Sequence, residues 1–361
     1  MVKTSSKSTS PPLEIGWAEL QQGRWEAARA LFKEAVTAEV TPEAFEGLSW
    51  AAWWLDDPTQ VFEAREHAYR LYKDAGDGVG AARMATWLAC DELDFNGAAP
   101  IANAWLARAH RLLDPLEAGP GHGWLAFFDG YMANADGQTA KAARLGRRSA
   151  ELGRQFAVPD LEILGLALEG AALVGAAEVE EGMRCLDEAT AVALQGEAEI
   201  PISGAWACCF LVSACTAVRD YERAVEWCDR IAEFAERYGS RYMLAFCRAE
   251  YGAVHLWRGR WTDAEKVLEA SVEDFTRSRP AMVAGPIVGL AELRRRQGRP
   301  EEAERLLDEA GATGSALVCR ARLALDRGDS VRAADLAERF LRQIPSDREL
   351  DRVPEIGRAH V

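Results

Sequence analysis

Along this chain, small and apolar residues return at helical spacing, and the spacing restarts at marked breaks. After Gly23, the positions Ala28, Phe32 and Ala35 share one helix face. The same i, i+4, i+7 arrangement returns as Ala102, Leu106, Ala109, as Ala224, Cys228, Ile231, as Ala264, Leu268, Ser271, and as Ala303, Leu307, Ala310. Gly23-Arg24-Trp25-Glu26-Ala27-Ala28 comes back as Gly259-Arg260-Trp261-Thr262-Asp263-Ala264 and as Gly298-Arg299-Pro300-Glu301-Glu302-Ala303. A self-similar period of about forty residues is the mark of stacked supersecondary units. Turns are expected near Gly23, Asp57, Gly97, Gly137, Ala177, Arg219, Gly259, Gly298 and Gly328.

Small residues also stand on the helix before a turn, at Gly16, Gly252, Ala291 and Ala321. Small facing small lets two antiparallel helices cross closely. Pro42, Pro58, Pro100, Pro159, Pro201, Pro280 and Pro345 fall at the expected helix starts or connections. The pattern therefore predicts an all-α solenoid of about nine antiparallel helix hairpins over residues 13–354, with longer loops at 116–123 and 195–204. Residues 1–12, rich in Ser, Lys and Thr with two prolines, read as a disordered lead-in. A cut after Phe340 is expected to leave Leu336 and Leu341 uncovered, so self-association is expected.

Composition changes this picture little. The hydrophobic fraction of 49% and the abundance of Ala, Leu, Glu and Arg favour helix throughout. A net charge of −15 makes direct nucleic-acid binding by this stretch unexpected, because phosphate contacts need clustered cations. Arg294-Arg295-Arg296 is the local exception and reads as a solvated helix end. No apolar run is long enough to span a bilayer, and no secretory signal opens the chain, so a cytoplasmic location without membrane contact is expected. The eight cysteines form no C-x-x-C pair and read as small packing residues of a reducing compartment.

The residues Ile15-Gly16, Gly23, Trp25, Ala28, Phe32 and Ala35 together resemble the tetratricopeptide repeat, and Tyr251-Gly252, Gly259, Trp261, Ala264 and Leu268 do so again. Other units depart from the pattern: Gly182 stands at a position the family fills with Ala, and Pro300 at an aromatic one. Within residues 50–135, Trp53-Trp54-Leu55-Asp56-Asp57, Ala64-Arg65-Glu66, Ala81-Ala82-Arg83-Met84 and Trp105-Leu106 resemble the helical-repeat region of bacterial LuxR-type transcriptional regulators. That resemblance implies a sensing array placed before a C-terminal helix-turn-helix, which this sequence does not contain. Glu355-Ile356-Gly357-Arg358-Ala359-His360-Val361 reads as the translation of a common sequencing-library adapter, so residues 355–361 are expected to be an artefact and the DNA-binding part to be lost downstream.

No phosphate-binding loop, H-E-x-x-H, G-x-S-x-G or EF-hand pattern occurs, and no enzyme activity, metal or cofactor is expected. Gly119-Pro120-Gly121-His122-Gly123 reads as an inter-helix loop, and His67, His110 and His255 as single satisfied, partly buried imidazoles. The twelve tryptophans carry more information. Trp17, Trp25, Trp105, Trp227 and Trp261 are assigned to packing between helices. Carrying the repeat register forward places Trp54, Trp87, Asp91, Asp94, Trp124, Phe127, Tyr131 and Trp206 on or near the concave wall, as candidate contacts to a partner or ligand. Packing between helices is the competing assignment for these rings, and Asp91 with Asp94 also fits a solvated helix end. The function expected is a partner- or ligand-sensing module of a LuxR-type regulator, binding a protein or peptide segment or a small effector. The alternative is a stand-alone adaptor.

Overall fold

The computed structural model describes residues 11–198 and 200–343. The adapter-like tail, Pro345 and most of the lead-in lie outside the described residues. Among those residues there are eighteen α-helices and no strand. The chain divides into two compact units, Met1–Gly121 and His122–Val361. The first holds α1 (Pro11–Gln21), α2 (Trp25–Ala38), α3 (Pro42–Trp54), α4 (Pro58–Asp74), α5 (Gly78–Asn96) and α6 (Ala99–Leu113). The second holds α7 (Pro120–Ala135), which starts at the boundary, then α8 (Thr139–Phe156), α9 (Pro159–Gly175), α10 (Val179–Val192), α11 (Pro201–Val218) and α12 (Tyr221–Tyr238). It continues with α13 (Arg241–Trp257), α14 (Trp261–Ser278), α15 (Ala284–Arg296), α16 (Pro300–Ala310), α17 (Gly314–Asp326) and α18 (Ser330–Gln343). Successive helices pair as antiparallel hairpins, and each first helix also meets the second helix of the preceding hairpin within its unit.

Every hairpin closes on one left-handed residue: Gly23, Asp56, Gly97, Gly137, Ala177, Arg219, Gly259, Gly298 and Gly328, with φ between 55° and 77°. The residue after it sends its N–H back to the helix just ended, as in Arg24 to Glu19 O at 3.0 Å, Glu178 to Leu173 O at 2.9 Å and Asp329 to Ala324 O at 2.9 Å. These are Schellman-type closures, which satisfy carbonyls that the helix end leaves free. In the second hairpin the left-handed residue is Asp56, one position before the expected Asp57. Asp57 instead caps α4, its carboxylate accepting the Gln60 N–H at 3.1 Å.

The repeated small and bulky positions form the core. Phe32 is fully buried, and a β-carbon added at Gly16 or Gly47 would come within 2.9 or 2.2 Å of its ring. Leu268 is held the same way between Gly252 and Gly289. The ring or isobutyl group of a second helix is thus seated against glycine on the helix before and the helix after. Gly182 is explained by closer packing still, since a β-carbon there would lie 2.6 Å from Gly170 O. Between α8 and α9, a β-carbon on Gly165 would lie 2.4 Å from Ala150 N. At these crossings backbone touches backbone, so alanine does not fit.

Several expectations are corrected. Pro11 and Pro12 belong to α1 rather than to a lead-in. The loop expected over 116–123 ends at Gly119, because Pro120 starts α7 at a position where its missing N–H costs nothing. The loop expected over 195–204 is mostly helical: a π turn covers Ala193–Glu197, and α11 starts at Pro201. Leu336 is buried with Leu317 and Ala321 rather than uncovered. Arg294 is only 9% exposed and pairs with Glu265 and Glu302, while Arg295 and Arg296 donate to Glu292 at 2.8 Å, so this helix end is neutralised rather than solvated. Trp261 is 40% exposed rather than packed between helices, unlike Trp25 at the matching first position of α2, which is buried.

Candidate functional site

Helix α11, Pro-Ile-Ser-Gly-Ala-Trp-Ala-Cys-Cys-Phe-Leu-Val-Ser-Ala-Cys-Thr-Ala-Val, contains no charged residue. A helix that is apolar all round must place apolar surface on more than one side. One side joins a core with Ala207, Leu211, Ala214 and Cys215 against α9, α10 and α13. The other bears Trp206, Phe210 and Ser213, about one helical turn apart in succession. Tyr242 and Phe246, at i and i+4 on α13, lie alongside, and Tyr131 of α7 completes the wall. Together with Cys209 and with Met282 from a short 3-10 turn (Pro280–Met282), they enclose a trough of about 150 Å³ within the second unit.

The rings are held by one another. Tyr131 stacks on Trp206 with ring centres 5.7 Å apart, and meets Phe210 edge-on at 6.2 Å. Behind them Phe127 and Phe128 pack on Trp206 at 5.6 and 5.7 Å. Such offset and edge-on pairs fix the wall before anything binds. At the Tyr242 end, the buried Arg279 guanidinium sits 5.2 Å from that ring. At the other end, the Thr216 hydroxyl donates to Glu250 at 2.6 Å, and burial pushes the Glu250 carboxyl above its ordinary value. Burial likewise pushes the Cys209 thiol well up, so it stays protonated and a poor nucleophile at neutral pH.

Of the eight candidate residues, Tyr131 and Trp206 line this trough. Trp124 is 8% exposed and Phe127 fully buried, which makes them backing rather than surface. The four candidates of the first unit are interior. Trp54 stacks flat on Trp25 at 4.4 Å. Trp87 meets Trp50 edge-on at 4.6 Å. Asp91 is fully buried and faces the Arg65 guanidinium at 3.1 Å, and Asp94 lies 3.7 Å from the Cys90 thiol. A solvated helix end is therefore the wrong description of Asp91 and Asp94: α5 runs on to Asn96, and both face inward. Phe210, Tyr242, Phe246, Cys209, Ser213 and Met282 were not anticipated. The Tyr242–Phe246 spacing on one helix face was the available signal.

Among the described residues no group of three or more His, Cys, Asp or Glu could hold a metal ion, and no helix is long and apolar enough to cross a membrane. His67 and His110 are exposed on their helices rather than partly buried, with His67 Nδ1 2.8 Å from Glu63 O.

No family model matches the sequence, and no curated protein does. Solved structures do match. The chain is similar to a Rap protein complexed with Competence and Sporulation Factor, at 13% identity over 94% of this chain and 86% of that one, with a TM-score of 0.60. It is also similar to the human IFIT1 dimer with m7Gppp-AAAA, at 16% identity over 92% of this chain and 71% of that one, with a TM-score of 0.54. The fold is that of TPR-like helical repeats. At these identities the likeness concerns the fold alone, and the TPR-like architecture hosts many functions. The site must therefore be argued from its own residues.

Proposed function

We propose that this chain is a TPR-like interaction module whose second unit binds an extended peptide segment of a partner in the trough between α7, α11 and α13. The observation that carries the reading is the open aromatic wall: Tyr131, Phe210 and Phe246 stay partly exposed on first helices and converge with Trp206 and Tyr242 on one trough. A volume of about 150 Å³ suits one side chain. Sites that enclose a whole small molecule run to roughly 300 Å³ or more, which favours a peptide over a free effector. The two similar structures named above each hold a bound molecule, which supports binding as the use of such an array. The role is recognition, and no catalytic step is assigned.

Selection of displayed twelve-residue peptides on the purified chain tests this. Recovered peptides should lose at least tenfold in affinity to a Phe210→Ala, Phe246→Ala double variant and keep it with Trp54→Phe. Peptides indifferent to the double variant would overturn the reading.

The regulatory setting is the finer part of the proposal and rests on the LuxR-type resemblance of residues 50–135. In it, a bound segment shifts the population of array conformations and so the presentation of a helix-turn-helix encoded in the same gene. Reading that gene in its genome tests this part: a frame with a helix-turn-helix supports it, and a frame without one leaves the adaptor reading.

A further inference from the structure

We propose that the trough receives a cationic side chain of the lysine or arginine type, with Glu250 as its counter-charge. The inference rests on the peptide-binding reading above and adds the chemistry of the residue that enters. Five of the eight lining residues are aromatic, and the others are Cys209, Ser213 and Met282, with no branched aliphatic residue and no cation among them. Ring faces carry negative potential and sulfur is polarisable, so this wall attracts a cation, whereas a leucine-type guest is matched by leucine-type walls. The volume of about 150 Å³ holds the end of one long side chain.

Charge along the trough sets the direction. Tyr242, Phe246 and Glu250 follow one another at four-residue spacing on α13, so the carboxyl stands one turn beyond Phe246. Its position is fixed by Thr216 of α11 at 2.6 Å. Arg248, two residues earlier, is engaged by Asp274 and does not neutralise it. Arg279 lies at the opposite end, on Tyr242. A guest cation is therefore drawn toward Phe246 and Glu250 and away from Arg279. An apolar guest would leave the carboxyl in its costly surroundings, and a cationic one relieves them.

Positional-scanning arrays of N-acetylated, C-amidated hexapeptides, probed with the purified full chain, test the proposal. At one position Lys or Arg should be preferred over Leu or norleucine by at least tenfold. Glu250→Gln should reduce that preference to within about twofold while peptides bearing an apolar residue there still bind. Glu250→Lys should turn the preference toward Asp or Glu, which gives a readout independent of how well Glu250→Gln folds. Selection of Leu, Phe or Met at the position, unchanged by either variant, would overturn the cation assignment and leave the trough as a peptide site. Binding that survives Phe210→Ala with Phe246→Ala would overturn both.

Discussion

In the first unit Trp50, Trp53, Trp54 and Trp87 are each no more than 6% exposed, whereas in the second Tyr131, Phe210 and Phe246 remain partly exposed around the trough. Both units close their hairpins with the same left-handed turn and seat one bulky residue between two glycines, so the repeat itself does not account for the contrast. The difference lies in what the rings face. In the first unit they surround charge: the Arg65 guanidinium lies 4.6 Å from the Trp50 ring and 5.4 Å from Trp87, opposite Asp91. Beside them Glu46 accepts from Tyr72 and Arg83 at 2.7 Å. In the second unit the rings pack on more rings and leave one side open. Aromatic residues at equivalent helical spacing thus form the jacket of a buried ion pair in one unit and an open wall in the other.

The sharpest way to break this comparison is to remove the charge inside the first unit. Arg65→Met takes away the guanidinium facing Asp91 in a buried site, and losing one partner of such a pair costs about 3–5 kcal/mol. Hydrogen exchange should show loosening of α3 to α5 with α11 and α13 unchanged. Loosening spread equally over both units would contradict the assignment.

Acid should act on the second unit instead. Against the upward push of burial, hydrogen bonds from Arg295 and Arg296 hold the Glu292 carboxyl at about 2, below its ordinary 4.5. A depressed carboxyl stabilises the fold above its unfolded value and loses that contribution as pH falls through its folded value. The region of α15 to α17 should therefore lose roughly 3 kcal/mol between about pH 4.5 and 2. Glu292→Gln should be less stable at pH 7 and show a flatter acid limb in the same denaturation series.

Gly165→Ala probes the backbone crossing of α8 and α9, where the new methyl has no room beside Ala150 and Gly146. Overpacking of this kind costs about 1–3 kcal/mol, read as a lowered midpoint in urea. An unchanged midpoint would show that the two helices can move apart freely. The smallest effect is a gain. Asp56, Ala177 and Arg219 occupy left-handed positions that glycine fills in the other six hairpins. Ala177→Gly and Asp56→Gly should each stabilise by about 1 kcal/mol, one in each unit. The caps would thereby be shown equivalent although the interiors are not.

The hairpins were legible in the sequence because their physics is local. A glycine that accepts positive φ, a small residue four positions into the next helix and a proline at a helix start each carry a signal within a few residues. Even the non-glycine turns at Ala177 and Arg219 could be placed from the spacing of their neighbours. The trough was only half legible. Trp206 and Tyr131 followed from the repeat register, but α11 is apolar all round, and its periodicity cannot divide the face against α9 and α10 from the face left open. Asp91 misled for a related reason. Its partner Arg65 lies on the preceding hairpin, and no local pattern links the two.

The most direct measurement is ¹⁹F NMR of the chain labelled with 5-fluorotryptophan, its resonances assigned by single Trp→Phe substitutions, on addition of a peptide selected as above. Movement of the Trp206 resonance, with Trp54 and Trp87 unmoved, is the predicted result. Movement of Trp54 or Trp87 while Trp206 stays fixed would contradict the account that the open wall of the second unit is where this protein meets its partner.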